Sequence, residues 1–379
     1  MDFSELKKIN SIIEHDKADT TYKYALIRSV IEVCQKHQVL GETKDNKVTF
    51  PLGILIEKWI LYYYPLTESE IYIPQKKGEP DGKHSIVFRP LFEKLTGYYK
   101  DKGGFSVFYQ DYTCGNLPLE IQPVFYKLSK EIRNTIINQP MQYLGRSYNG
   151  EFYSIFTPKR PVPKIIFQEI NDRSLFVRSG GYFSMSADLA TIFEYFGSFI
   201  SGEEGLLKKW AEFTTNLDKT GQISDSVVLE ILNRSPETQR SVYDVRKCYE
   251  SQYLAGNFLE CVWSGKRISN PEMMAIDHML PFSVWKNNDL WNLLPSLASV
   301  NSKKSDSIPA PALVEKRSDS ITGYWDILHE RFPARFEKEI GVSLLKKPGP
   351  GWQDDAIVVL AGTCEYLINV RGFSEWSSV

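Results

Sequence analysis

Residues 276–306 read IDHMLPFSVWKNNDLWNLLPSLASVNSKKSD, and this stretch decides the fold of its part of the chain. The run MMAIDHML is apolar enough for a β-strand, SVWKNND has the composition of a loop, and LWNLLP suits a returning strand. The polar run ASVNSKKSD predicts a helix that ends before Pro309. Together these segments predict a ββα arrangement.

Four polar side chains occupy the ends of these predicted elements: Asp277, His278, Asn292 and Asn301. The spacing from His278 to Asn292 fits a hairpin loop, and the spacing from Asn292 to Asn301 fits a return strand followed by a helix. Each of these residues taken alone is more often structural than catalytic. At this joint spacing, the hairpin and helix would bring all four together.

The pattern resembles the HNH, or ββα-metal, nuclease family. Asp277 and His278 match the family's Asp-His at the end of the first strand, Asn292 its middle Asn, and Asn301 its final His-or-Asn. The NSKKSD ending is similar to the His-Asn-Asn version in the HNH domain of type II CRISPR effector nucleases. The resemblance covers roughly residues 258–309 and includes the lead-in CVWSGKRIS.

The chemistry of these side chains agrees with what the resemblance implies. An imidazole has an unperturbed pKa of about 6.5, so His278 suits a general base near neutral pH. Asp277 and Asn301 offer hard oxygen donors, which favour Mg²⁺ or Mn²⁺. We expect Asn292 to brace the loop and orient His278, and Lys303 or Lys304 to meet a phosphate.

The resemblance also predicts the absence of a structural zinc. Many HNH domains hold zinc with two CxxC pairs, and the matching positions here are Cys261, Ser264, Leu297 and Val300. Since one thiol remains, no structural zinc is expected, and Leu297 and Val300 should pack hydrophobically instead. Cys261 then becomes an ordinary buried thiol.

Composition narrows the class of protein. The 379 residues are 42% apolar and 13% aromatic, enough for well-filled cores. The formal net charge is −2, so a nucleic-acid partner must be met by a local basic patch, and FTPKRPVPK with Lys159, Arg160 and Lys164 is a candidate. Five scattered cysteines, no signal peptide and no long apolar run predict a cytoplasmic protein without a membrane span.

The rest of the chain predicts an α+β protein in four parts. These are a mainly helical recognition or regulatory domain (1–150), a mixed α/β to helical connector (151–245), the HNH nuclease domain (246–320) and a C-terminal helical segment (321–379). In the first part, FPLGILIEKWILYYYP predicts a helix that stops at Pro65. In the connector, EFYSIFTP, KIIFQEI and SLFVRS predict strands.

These observations predict a metal-dependent endonuclease that cuts DNA to 5′-phosphate and 3′-hydroxyl ends. The resemblance to the HNH family, through the way that family is used, implies a setting in restriction or anti-phage defence. An HNH hairpin is too small to select a sequence alone. The long N-terminal part is therefore expected to select, restrain or recruit, with a protein partner or self-association as the control. Two alternatives stay open: a non-catalytic nucleic-acid-binding or assembly subunit with a structural HNH fold, and an RNA-cutting nuclease.

Overall fold

A computed structural model of the chain describes residues 4–81, 85–145, 155–202, 205–234, 236, 242–285, 288–345 and 349–377. The chain divides into two compact units, Met1–Glu237 and Thr238–Val379. Helices dominate both units and short sheets accompany them, so the predicted α+β class is confirmed. Among the described residues, no helix combines the length and apolar character needed to cross a bilayer.

Helices make up most of the first unit. Helix Leu52–Glu68 is buried because its apolar residues recur on all sides, as its sequence LGILIEKWILYYYPLTE shows. The helices described in this unit are Ser4–His15, Tyr22–Lys36, Leu52–Glu68, Arg89–Tyr99, Gly104–Thr113, Gln122–Asn138, Pro140–Tyr143, Arg173–Phe176, Ala187–Ser201, Leu206–Leu217 and Asp225–Asn233.

A four-stranded antiparallel sheet joins distant parts of the first unit. Its strands are β1 (Glu42–Lys44), β2 (Lys47–Pro51), β3 (Thr157–Pro158) and β4 (Tyr182–Ser186), in the order β1-β2-β4-β3. Asp45 and Asn46 have positive φ and make the tight turn between β1 and β2. β2 and β4 pair along their whole length, which joins residues 47–51 to residues 182–186 within the first unit, while the four-part organisation stays a prediction.

Three local predictions in the first unit need correction. The helix from Leu52 does not stop at Pro65 but runs to Glu68, since proline removes one N–H while the buried last turn still packs. KIIFQEI holds a short 3₁₀ helix, Phe167–Glu169, and SLFVRS begins with the helix Arg173–Phe176, so neither is a strand. In EFYSIFTP, β3 covers Thr157–Pro158, and residues 151–154 lie outside the described residues.

The second unit contains the predicted ββα arrangement. Strands β5 (Met274–His278) and β6 (Leu293–Leu297) form an antiparallel hairpin, and helix Ala298–Lys304 follows directly. Strands β7 (Ile308–Pro309) and β8 (Glu375–Trp376) pair in parallel. The helices described in this unit are Tyr243–Leu254, Phe282–Trp285, Ala298–Lys304, Pro311–Lys316, Ser318–Arg331, Pro333–Ser343 and Trp352–Asn369. The predicted helical C-terminal segment is confirmed.

Neighbouring helices hold the second strand of the hairpin and the turn just before it. Tyr249 donates its hydroxyl to the Leu293 carbonyl at 3.2 Å, and the Trp325 indole N–H donates to the Trp291 carbonyl at 2.7 Å. All four residues are buried in one apolar core. The hairpin is therefore fixed from behind, which leaves its open end to form a site.

Candidate active site

The end of β5, the hairpin loop and the following helix surround one polar pocket of about 160 Å³. Asp277 and His278 lie at the end of β5, opposite Leu294 and Leu293 of β6. Asn301, in the middle of helix Ala298–Lys304, lines the same pocket. The structure thus brings three of the predicted site residues together, and it adds Ser305 and Asp306, which the sequence did not single out.

Asp277 is buried and both of its carboxylate oxygens have protein partners. Oδ2 accepts the indole N–H of Trp263 at 2.5 Å, and Oδ1 lies 3.2 Å from the Lys304 ammonium. Burial raises the pKa of the Asp277 carboxyl, while the Lys304 charge and the Trp263 hydrogen bond oppose that rise. A carboxylate oxygen has two lone pairs, so these contacts leave acceptor capacity on each oxygen.

Lys304 differs from its predicted role as a phosphate contact. Its side chain has no solvent exposure, and its ammonium pairs with Asp277 and donates to the His278 carbonyl at 2.8 Å. It also lies 5.7 Å from the centre of the Trp263 ring. Lys304 therefore compensates a buried charge under the site, and Lys303, which is exposed in the last turn of the helix, is the lysine of the pair that a phosphate can reach.

His278 is held by the hairpin loop. Its Nε2 lies 3.0 Å from the Asn288 side-chain oxygen, and its ring meets Phe282 edge-on at 5.4 Å between centroids. When Nε2 carries the proton, the Asn288 oxygen accepts it and Nδ1 is left as the basic nitrogen of the ring. An amide that fixes the tautomer in this way prepares an imidazole for accepting a proton.

Asn292 braces the loop but has a different partner from the one predicted. Its side chain is buried and makes two hydrogen bonds to the backbone of Leu280, one accepted from N–H at 2.7 Å and one donated to the carbonyl at 3.0 Å. The residue that contacts His278 is Asn288. Asn292 therefore shapes the turn after His278 and does not orient the imidazole directly.

The helix Pro333–Ser343 anchors the loop that carries Asn288. Glu339 accepts the Leu290 backbone N–H at 2.6 Å and the Arg335 guanidinium at 2.6 Å, and Arg335 donates to the Asn288 carbonyl at 3.2 Å. Burial, reinforced by the nearby Asp289 carboxylate, raises the pKa of Glu339 to about 7. The Glu339 carboxylate thus supports the backbone beside the residue that holds His278.

The positions that bear zinc ligands in other HNH domains are packed in this chain. The Cys261 thiol is buried and lies 3.4 Å from the Ser296 hydroxyl, while Leu297 and Val300 pack against the apolar core, as predicted. Burial raises the pKa of the Cys261 thiol, but hydrogen bonds with Ser264 and Ser296 outweigh it and leave the pKa below its usual value. Packing and hydrogen bonds therefore fill the place of the metal centre.

The donor set of the pocket fits a hard divalent cation. Asp277, Asn301 and Asp306 offer carboxylate and amide oxygens around one cavity, the ligand type that Mg²⁺ and Mn²⁺ prefer. Within the described parts of the chain, no cluster of three or more His, Cys, Asp and Glu side chains has metal-binding geometry. A cation here would thus depend on few protein ligands, and substrate phosphate would complete its shell.

Comparison with protein families gives two matches. Residues 2–232, more than half of the chain, match a family described as a domain of unknown function, DUF8808. The chain belongs to the DUF8808 family. In this DUF8808 protein, residues 261–310 match the family described as HNH endonuclease, which agrees with the resemblance over residues 258–309. Comparisons with curated proteins and with solved structures gave no match.

The HNH endonuclease match spans the hairpin, most of the pocket lining and the zinc-site positions of the DUF8808 protein. It indicates a nuclease as the class of activity and nucleic acid as the class of partner. The His-Asn-Asn version inferred from Asn292 and Asn301 stays a prediction. The sequence did not identify Asn288 or Trp263 as site residues. Asn288, which contacts His278, lies in a loop without a sequence pattern, and Trp263, which contacts Asp277, lies in the lead-in far from the motif.

Proposed function

We propose that this protein is a metal-dependent endonuclease that hydrolyses DNA phosphodiester bonds. The observation that carries the proposal is the convergence of Asp277, His278 and Asn301 on one polar pocket inside the segment that matches HNH endonucleases. Mg²⁺ or Mn²⁺, held by Asp277 and Asn301, would supply positive charge where negative charge builds on the phosphate.

His278 acts as the general base. Its imidazole takes a proton from a water molecule as the water attacks phosphorus, and the 3′ oxygen on the opposite side departs. The products are a 5′-phosphate and a 3′-hydroxyl, and no 2′-hydroxyl takes part, so DNA is an adequate substrate. Asn288 and Phe282 hold the ring in place, and Lys303 contacts a neighbouring phosphate.

The setting that we propose is restriction or anti-phage defence in the cytoplasm. It rests on the way HNH nucleases are used, together with a large DUF8808 domain on the same chain that is available for recognition or control. Plaque counts on cells that express the wild type or His278→Ala test this setting. Equal plating in both strains contradicts it.

The enzymatic proposal is tested on purified full-length protein with plasmid DNA and with RNA, with and without Mg²⁺. His278→Ala should lower the cleavage rate by roughly 10²- to 10⁴-fold, the usual contribution of a general base. His15→Ala, an exposed histidine at the end of helix Ser4–His15, is the matched control and should cleave like the wild type. Ligation of the products without end repair checks the end chemistry.

Three results would contradict parts of the proposal. Cleavage of RNA but not DNA supports an RNA-cutting nuclease. Binding of DNA without Mg²⁺-dependent cleavage supports a non-catalytic subunit with an HNH fold. Full activity in His278→Ala removes that residue from the role of base.

A further inference from the structure

A basic surface lies in the first unit, in the part of the chain that belongs to the DUF8808 family. Residues 157–167 read TPKRPVPKIIF and contain three basic residues and no acidic one. Lys159, Arg160 and Lys164 are exposed, as are the large side chains of Phe167 and Tyr182 beside them. We call these five residues the basic ridge.

The basic ridge is a built surface and not a loose loop. Lys159 donates its backbone N–H to the Tyr182 carbonyl at 2.8 Å, which continues the pairing of β3 with β4. Gly181 has a positive φ and permits close approach, since a Cβ at this position would lie 2.8 Å from a methyl of Val162. The segment that carries the lysines is thus packed onto the start of β4.

Helix Gln122–Asn138 supports the basic ridge from the side and adds positive charge. Arg133 donates to the carbonyls of Gly180 at 3.2 Å and Val162 at 3.4 Å. Tyr126 meets Phe167 edge-on at 5.3 Å between ring centroids, and the Lys130 ammonium lies 5.1 Å from the Tyr126 ring. The helix therefore fixes Phe167 and Val162 and places Arg133 and Lys130 beside the ridge.

The cations of this surface form no ion pair within the described part of the chain. Among the residues that the structure describes, no carboxylate lies within salt-bridge distance of Lys159, Arg160, Lys164 or Arg133. Other basic residues of the unit are compensated, as Arg173 is by the buried Glu57. Clustered exposed cations with rigid backbone support and flanking aromatic rings are the electrostatic footprint of a nucleic-acid contact.

We infer that the basic ridge binds the phosphate backbone of DNA and gives the DUF8808 domain a substrate-holding role. The inference rests on the proposed function for its choice of DNA. Backbone contacts of this type fix position without reading sequence. Such a contact matches the need identified above, because the pocket of the HNH segment is small and contains few cations that a phosphate can reach.

The test measures DNA binding by the full chain in EDTA, where no cleavage occurs, by fluorescence anisotropy with a labelled duplex of about 30 base pairs at several salt concentrations. In the ridge variant, Lys159, Arg160 and Lys164 are all changed to Gln. The plot of log binding constant against log salt concentration should become less steep by up to about 3, because each lost phosphate contact contributes about 0.9 to the slope. Affinity near physiological salt should fall by roughly 10- to 1,000-fold.

A control variant with the same change in net charge carries Lys7→Gln, Lys44→Gln and Lys100→Gln, three exposed lysines on other elements. It should bind like the wild type. An unchanged slope in the ridge variant, an equal loss in the control, or no DNA binding by the wild type would overturn the inference. Circular dichroism and thermal unfolding of both variants show that the fold is intact.

The failure of this inference and the failure of the proposed function give different results. If the wild type binds DNA with a steep salt dependence but never cleaves it, and the ridge variant loses that salt-dependent binding, the result supports the ridge and contradicts the nuclease. A ridge variant that binds and cleaves like an active wild type supports the nuclease and contradicts the ridge.

Discussion

Replacing Lys304 by methionine should destabilise the second unit strongly, even though Lys304 belongs to a helix that looks polar in sequence. Methionine keeps the length and the apolar contacts of the lysine stem but removes the ammonium. Asp277 then stays buried with the Trp263 N–H as its remaining side-chain partner, and the His278 carbonyl loses a donor. Breaking a buried ion pair on one side costs about 3–5 kcal/mol, because an uncompensated charge is left inside.

The double variant Lys304→Met with Asp277→Asn is the matched control for this prediction. It removes both charges, and the amide oxygen that replaces the carboxylate still accepts from Trp263, so most of the lost stability should return. The loss in the single variant should also shrink at low pH. An uncompensated Asp277 has its pKa raised further, and the penalty disappears once the carboxyl is protonated.

Hydrogen–deuterium exchange of peptides from β5 and β6 at increasing urea concentration measures this free energy locally, without assuming that both units unfold together. The expected order of stability is wild type, then the double variant, then Lys304→Met. A single variant within about 1 kcal/mol of the wild type, or a double variant as unstable as the single, would refute the compensation of Asp277 by Lys304.

Three further perturbations follow from the site. Asn288→Ala should lower kcat by roughly 10- to 100-fold and leave DNA binding in EDTA unchanged. The variant loses the contact that fixes the His278 tautomer, and the loss of such a supporting bond typically costs that much. A loss of DNA binding as large as the loss of kcat would contradict a positioning role. Glu339→Gln should remove a pH dependence of the free energy of unfolding. The pKa of the Glu339 carboxyl rises from 4.5 in the unfolded chain to about 7 in the folded protein, so its protonated form stabilises the fold fully below pH 4.5. This stabilisation, about 3 kcal/mol, is lost as the pH rises through 7. Urea unfolding from pH 4 to 8 compares it with the wild type, and identical curves would show that Glu339 does not titrate there. Asn301→Ala should raise the Mg²⁺ concentration needed for half-maximal cleavage, and an unchanged Mg²⁺ requirement removes Asn301 from the cation site. For the wild-type protein, EDTA should leave the melting temperature unchanged and elemental analysis should find no zinc.

The sequence predicted the ββα hairpin correctly because each of its elements follows a short-range pattern. Apolar runs of strand length flank a polar loop, and the spacing of Asp277, Asn292 and Asn301 is a one-dimensional property. The confirmed packing of Leu297 and Val300 was predicted from a missing pair of cysteines, which the amino-acid sequence also shows directly.

Side-chain partners and short segments could not be predicted in the same way. Lys303 and Lys304 are adjacent and identical in type, and their different surroundings arise from the helix turn that directs Lys304 toward Asp277. The apolar runs around Phe167 and Phe176 are too short for a period to distinguish strand from helix, so tertiary packing decided them. Asn288 follows no pattern and is defined by the loop that Glu339 and Arg335 anchor.

The parallel pair β7 and β8 places the end of the described chain against the segment that follows helix Ala298–Lys304. Ile308 donates to the Ser374 carbonyl at 2.8 Å, and Trp376 meets Trp263 edge-on at 5.8 Å between centroids, directly behind the indole that bonds Asp277. During synthesis, the ribosome must therefore release residues roughly eighty positions beyond the hairpin before this backing is in place. We expect a chain halted after Lys304 to lack the proposed cleavage activity, because the indole that bonds Asp277 then has no Trp376 behind it.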